Sequence, residues 1–420
     1  MRTLRFFRLT LGATLGTAIL TLSACGGSGF SDTPAPAGSS GSLTSDASKG
    51  LTVLIGSSGS AETKAVEDAV QKWSSTSGTS AKVLAASDLQ QQLSQGFAAR
   101  KPPDVFYLST DALAGYASNG SLLAYGDQLT NKSDFYPSLV TSFTYQDKLY
   151  CAPKDFSTLQ LIVNTDMWSK AGLTQADYPT TWDDLESVSK KLTTGDHRGL
   201  VISGEYARIG AWMAQAGGNL MNDTSTEATA NSPENVAALT EVKKMLNDKT
   251  LAYAKDVGAG WGGEAFGKGL TAMTIEGNWI VGSQRSDYPK INYAVVPLPA
   301  GPKGQGTLQF TNCWGIAADS PNQAGALKLV QQLTSTEDQV AFSKAFGVMP
   351  SIQSAADAWK ADNPKLVPFI DAAAYAKGPP TIKGGADVVS DLNAKLATLA
   401  TSDPQQILDA TQKNLQALTK

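Results

Sequence analysis

Glu276, Asn278 and Trp279 stand together at the end of the run Ala272–Trp279, which reads Ala-Met-Thr-Ile-Glu-Gly-Asn-Trp. A carboxylate and an amide can exchange hydrogen bonds with a polar ligand while an indole covers an apolar face. Paired with a second carboxylate, Glu276 could instead do general acid–base work. The run leans towards β structure and stops on Gly277, so it reads as a strand breaking into a loop. Such strand ends are where a rigid scaffold holds a few polar groups beside an apolar surface. We read it as one wall of a ligand cleft. The competing reading is a core strand with a buried tryptophan, since tryptophan is highly buried on average.

Other strings that look chemical lack their context. Gly258–Gly263 fits Gly-x-Gly-x-x-Gly, yet no clear strand precedes it. Gly262–Lys268, followed by Gly269, lacks the Ser or Thr of a phosphate-binding loop. Ser187–Lys190 matches Ser-x-x-Lys without its partner motifs. The one histidine, His197, sits in the turn-like Gly195-Asp196-His197-Arg198-Gly199, so a Ser-His-Asp triad would hang on an exposed side chain. Three cysteines, none in a Cys-x-x-Cys pair, cannot supply the common zinc sites, and no Asp-x-Asn-x-Asp-Gly run offers a calcium loop. We therefore expect no metal and no cofactor. The net charge is -4 over 420 residues, and the first 24 residues carry Arg2, Arg5 and Arg8 but no acid. No basic patch points to nucleic acid.

The elements that must position these residues follow a basic, then apolar, export signal over 1–24. Leu22-Ser23-Ala24-Cys25 resembles the lipobox of bacterial lipoproteins, which implies that Cys25 becomes a lipid-bearing first residue. Residues 25–49 are Gly-, Ser-, Pro-, Thr- and Ala-rich and read as a flexible tether. Beyond it, a strand over Leu51–Ile55, a helix from Ala61 capped by Ser60, a strand over Ala81–Ala85, a helix near Leu89–Ala99 and a strand over Pro103–Leu108 alternate. That order predicts a parallel α/β sheet. Ligands of such sheets sit beyond the carboxyl ends of the strands, which singles out Ser57, Ser58, Gly59, Thr110 and Asp111. Asp104 is expected to be a structural acid. Trp261, in a glycine-rich loop, and Trp314, in an extended run, could each contact ligand or pack internally.

The signatures Pro103-Asp104-Val105, Lys148-Leu149-Tyr150 through Pro153, Asn164-Thr165-Asp166-Met167, Thr181-Trp182-Asp183-Asp184-Leu185, Ala272–Trp279, Pro297-Leu298-Pro299 and Met349-Pro350 occur in this order. Together they resemble the extracellular solute-binding proteins of family 1, the maltose-binding-like proteins that deliver carbohydrates to ABC importers. The resemblance covers nearly all of 51–420. It implies an α/β, two-lobed periplasmic-binding-protein-like fold of type II, with discontinuous lobes joined by crossing hinge strands. The first lobe would take 50–153 plus 315–350, and the second 157–310 plus 351–420. Cys151 and Cys313 then fall on neighbouring crossing strands, where outside the cytoplasm they could pair in a disulfide; two independent buried thiols are the alternative.

The same resemblance implies a site. Trp279 matches the aromatic that stacks on sugar, with Glu276 and Asn278 flanking it. Asp111 matches a ligand-contacting acid of the first lobe, and Glu205, with Tyr206 beside it, a polar contact of the second, while Asp155 lies where a crossing strand passes the cleft. A sugar needs aromatic faces for its C–H surfaces and acids or amides for its hydroxyls. The function implied is a monomeric, lipid-anchored receptor on the outer face of the bacterial cell membrane. It would bind a carbohydrate and pass it to ABC importer permease subunits, and would be no enzyme. The alternatives are a secreted glycoside hydrolase using two of Glu205, Glu276, Asp111 and Asp155, or a receptor for a non-sugar solute such as a polyamine.

Overall fold

A computed structural model describes residues 42–195 and 197–420 of the protein. The expected export signal and Cys25 lie outside the described residues. In chain order the strands are β1 (Leu51–Ile55), β2 (Ala81–Ala85), β3 (Val105–Ser109), β4 (Thr144–Tyr145), β5 (Lys148–Leu149), β6 (Cys151–Thr158), β7 (Gln160–Asn164), β8 (Arg198–Ile202), β9 (Leu251–Tyr253), β10 (Thr271–Glu276), β11 (Tyr293–Val296), β12 (Thr307–Ile316), β13 (Met349–Pro350) and β14 (Ala376–Lys377). The first sheet runs β13-β6-β12-β3-β1-β2, with β14 added to β12; the second runs β11-β7-β10-β8-β9. β1, β2 and β3 are parallel, as are β8, β9 and β10. Helices bury the strands on their faces, so β7 and β10 are buried at every position and β3 at all but its last.

Each sheet has its own core. Val53, Phe106, Trp314 and Phe342 belong to the first, and Leu161, Trp212, Met273 and Leu408 to the second. The second core also takes in the last two helices, Gly385–Leu396 and Pro404–Leu418, through Leu392, Leu396, Ile407 and Leu415. The lobes are discontinuous because β6 and β12 belong to the first sheet but run on beyond it. β6 pairs antiparallel with β12 from Cys151↔Gly315 to Thr158↔Gln309, and β7 follows β6 directly into the second sheet. A disulfide joins Cys151 to Cys313 across this pair, with the Cα atoms 5.5 Å apart. Both cysteines are buried in the first core.

Local sequence explains many of the element ends. Thr181 and Asp184 form a capping box at the start of the helix Trp182–Leu192. Pro233 occupies the first turn of the helix Pro233–Asn247 behind the Ser232 cap. Three expectations need correction. Ser60 does not cap its helix; it is the first helical residue, and Gly59 precedes it without a side-chain bond. Trp279 is not in a loop but opens a helix, Trp279–Asp287. The tether does not extend to Lys49, because Thr44 bonds Gln323 and Ser320, and the Asp46 amide bonds the Pro321 carbonyl.

Candidate functional site

The register of the strands brings the carboxyl ends of both parallel sets to one gap. Ser109, the last residue of β3, pairs with Asn312, which pairs in turn with Asp155 on β6. Glu276, the last residue of β10, pairs with Gln160 on β7. Asp155 and Gln160 lie five positions apart on extended chain, roughly 16 Å, so the crossing strand spans the distance between the two sheet ends. Ser157, between them, accepts a hydrogen bond from the Asn278 amide at 2.9 Å, and the Asn278 side chain donates to the Gly347 carbonyl at 3.2 Å. Gly347 ends the helix Thr336–Phe346, whose Phe342 belongs to the first core. Asn278, which precedes the Trp279 helix, is thus tied both to the crossing strand and to the first lobe.

On the second lobe the site is built around Trp279. Its indole N–H donates to Glu276 Oε2 at 3.0 Å, and its ring meets Phe310 of β12 edge-on at 5.3 Å. The Arg208 guanidinium lies 5.3 Å from the ring and donates to the same Glu276 oxygen at 2.5 Å. Gly277 permits the arrangement, since a Cβ there would lie 2.2 Å from the indole. Glu276 is fully buried whereas Trp279 keeps 37 % of its surface exposed. Burial pushes the Glu276 carboxyl up, against the pull of Arg208. Glu205, half-buried at the start of the helix Tyr206–Gln215, stands 3.4 Å from Arg208 Nη1.

On the first lobe the loop after β1 meets the crossing strand. Lys154 bonds Glu62 at 2.9 Å and also pairs with Asp155, and its ammonium lies 4.4 Å from the Tyr107 ring. Glu62 takes bonds from the Ser58 amide and hydroxyl, each at 2.7 Å, and from the Tyr107 hydroxyl at 3.0 Å. Burial opposes its charge, but Lys154 and Ser58 outweigh this and hold the carboxyl below its usual range. Burial would likewise lower Lys154, yet Asp155, Tyr107 and Glu62 hold it above the ordinary lysine range. Asp155 is pushed up by burial despite Lys154. Ser57 bonds Gly59 and Thr63. Asp111 is exposed, bonded to Ser109.

The candidate residues therefore sort by position. Trp279, Asn278, Glu205, Asp111, Ser57 and Ser58 lie just beyond the carboxyl ends of parallel strands, and Glu276 and Asp155 are buried and held by cations. Trp314 is fully buried in the first core, its ring 4.7 Å from Tyr107, so it packs internally rather than lining the cleft. Tyr206 is 3 % exposed and packs in the second core, with its hydroxyl on Asn219. Trp261 is half-buried, folded onto Gly263 and packed against a third apolar cluster. Arg208, Glu62, Lys154, Tyr107 and Phe310 were missed. Only Arg208 carried a local signal, three residues after Glu205 on one helix face. Asp104 is structural, bonded to the Thr52 amide and the Ser320 hydroxyl. Among the described residues no group of His, Cys, Asp or Glu gathers to hold a metal.

Residues 69–368 match the family described as bacterial extracellular solute-binding protein. The chain belongs to this family. This solute-binding protein is 26% identical over 304 residues to the diacetylchitobiose-binding protein of Streptomyces coelicolor, covering 69% of this chain and 67% of the relative. It superposes on an ABC substrate-binding protein of Listeria monocytogenes in complex with cycloalternan. The TM-score is 0.71 and the identity 25%, over 87% of this chain and 98% of that one. A cyclo/maltodextrin-binding protein complexed with maltotetraose superposes with a TM-score of 0.77 at 23% identity, over 87% and 96%. The solute-binding protein thus has the two-lobed maltose-binding-type fold, and its relatives include saccharide-binding proteins as well as sn-glycerol-3-phosphate-binding proteins. It is a binding protein and not an enzyme, which removes the glycoside-hydrolase alternative. Among the described residues no helix is long and apolar enough to cross a membrane.

Proposed function

We propose that this protein captures a mono- or oligosaccharide in the cleft between its lobes, closes over it, and presents it to the permease of an ABC importer. A lipid on Cys25 would hold it at the outer face of the cell membrane. The observation that carries the reading is the pinned indole. Trp279 is fixed through its N–H by Glu276 and at its ring by Arg208 and Phe310, yet keeps an exposed surface at a strand end. A rigid aromatic face of this kind covers the C–H surface of a pyranose at little entropic cost, and Asn278, Glu205 and Asp111 stand ready for its hydroxyls. The saccharides bound by the relatives support the same reading.

The crossing segments near 153–157 and 310–315 serve as the hinge in this account. A thermal-shift screen over neutral mono-, di- and oligosaccharides tests it. A ligand at 100 times its dissociation constant should add about 2.7 kcal/mol to stability. A shift with one class of saccharide is the expected result; a flat response to every saccharide would overturn the proposal.

A further inference from the structure

Both cations in the two side-chain clusters are already claimed, each by two carboxylates. Lys154 is 6 % exposed and pairs with Glu62 and Asp155. Arg208 is 7 % exposed and pairs with Glu276 and Glu205. In each cluster two carboxyl groups thus surround a single cation, and Asp111 stands exposed just after β3. Arg208 Nε has no partner in the protein, but it is buried and so cannot be offered to a ligand. The clusters are linked through the crossing strand. Asp155 and Ser157 share a face of β6, Ser157 accepts from the Asn278 amide at the start of the Trp279 helix, and the Asn278 side chain reaches Gly347, beside the Phe346 ring that lies 5.5 Å from Lys154 Nζ.

We infer that the cleft selects by charge: it takes neutral or amine-bearing saccharides and rejects those carrying a carboxylate or a phosphate. This rests on the saccharide-binding reading above and narrows it. An anionic group needs a donor cation free to form charge-assisted hydrogen bonds, and the pairing leaves none in these clusters. It also meets the partly exposed Glu205 carboxylate and the exposed Asp111 carboxylate at the strand ends, and like charges repel. An amine gains from the same field. Arg208 and Lys154 act as positioning residues: they hold Trp279 and the Ser58 loop in place and do not bind the ligand's own charge.

Calorimetric titration with charge-matched probes tests this. The pairs are maltose against maltobionate, N,N′-diacetylchitobiose against its deacetylated diamine, and glycerol against glycerol 3-phosphate. The expected result is that each anionic probe binds at least about tenfold more weakly than its neutral partner, with the gap shrinking as salt is raised. In Glu205→Gln and Asp111→Asn the anion penalty should fall severalfold, a change in ratio that a merely structural role would not produce. An anionic saccharide bound as tightly as its neutral partner would overturn the charge selection and leave saccharide capture standing. Binding of glycerol 3-phosphate with no saccharide bound would overturn both.

Discussion

An indole held by its N–H and one edge is a fixed platform, so its removal should be felt by the ligand before the fold. Trp279→Ala is expected to weaken saccharide binding about 30-fold or more, while folding loses about 1 kcal/mol with the Glu276 hydrogen bond. Paired titration and urea unfolding measure the two. Unchanged affinity, or a variant that does not fold, would return Trp279 to the core. The Glu62–Lys154 pair makes a prediction in pH. The Glu62 carboxyl is held below its usual value, so its stabilisation is present above the unfolded value, about 4.3, and is lost as pH falls through the folded one. Glu62→Gln should therefore cost about 3–5 kcal/mol near neutrality and progressively less in acid, read as melting temperature against pH. A constant difference down to pH 3 would contradict the pairing. Trp279 and Glu276 were legible because they share one short run. Glu62 with Lys154 and Arg208 with Glu276 were not, since those partners lie 92 and 68 residues apart and leave no local pattern.

The crossing strands decide how the two sheets meet. β6 is buried along its whole length because β12 covers one edge and β13 part of the other. The disulfide closes a sequence separation of 162 residues between them. Replacing Cys151 and Cys313 together by alanine should lower unfolding stability by about 3–5 kcal/mol, measured in urea without reductant; an unchanged midpoint would show that the bond does not brace the strands. The resemblance placed these cysteines on neighbouring strands, but pairing depends on register, which no spacing of two cysteines encodes. Strands such as Leu51–Ile55 and Ala81–Ala85 were legible because strand propensity and the turn residues that bound a strand are local. The helix opening at Trp279 was not. Gly277 and Asn278 read as a break, and a tertiary bond from the Asn278 amide to the Ser157 hydroxyl instead sets the entry to a new helix.

At the scale of the whole molecule, the described chain from Leu43 to Lys420 forms one compact unit containing both sheets and their cores. The two-lobed plan was legible from alternating strands and helices together with the seven ordered signatures. The ion pairs on which the inferred charge selection rests were not, because their partners lie far apart in the chain. Anchoring is a separate prediction: Cys25→Ser should move the protein from the membrane fraction to the soluble fraction in a bacterial host, and retention in the membrane would argue against a lipid on Cys25. The central claim is most directly tested by isothermal titration of Leu43–Lys420 with the saccharide that gives the largest thermal shift, followed by chromatography of the bound sugar. The account predicts one saccharide per chain, recovered unaltered; no binding of any neutral saccharide, or release of a cleaved sugar, would contradict it.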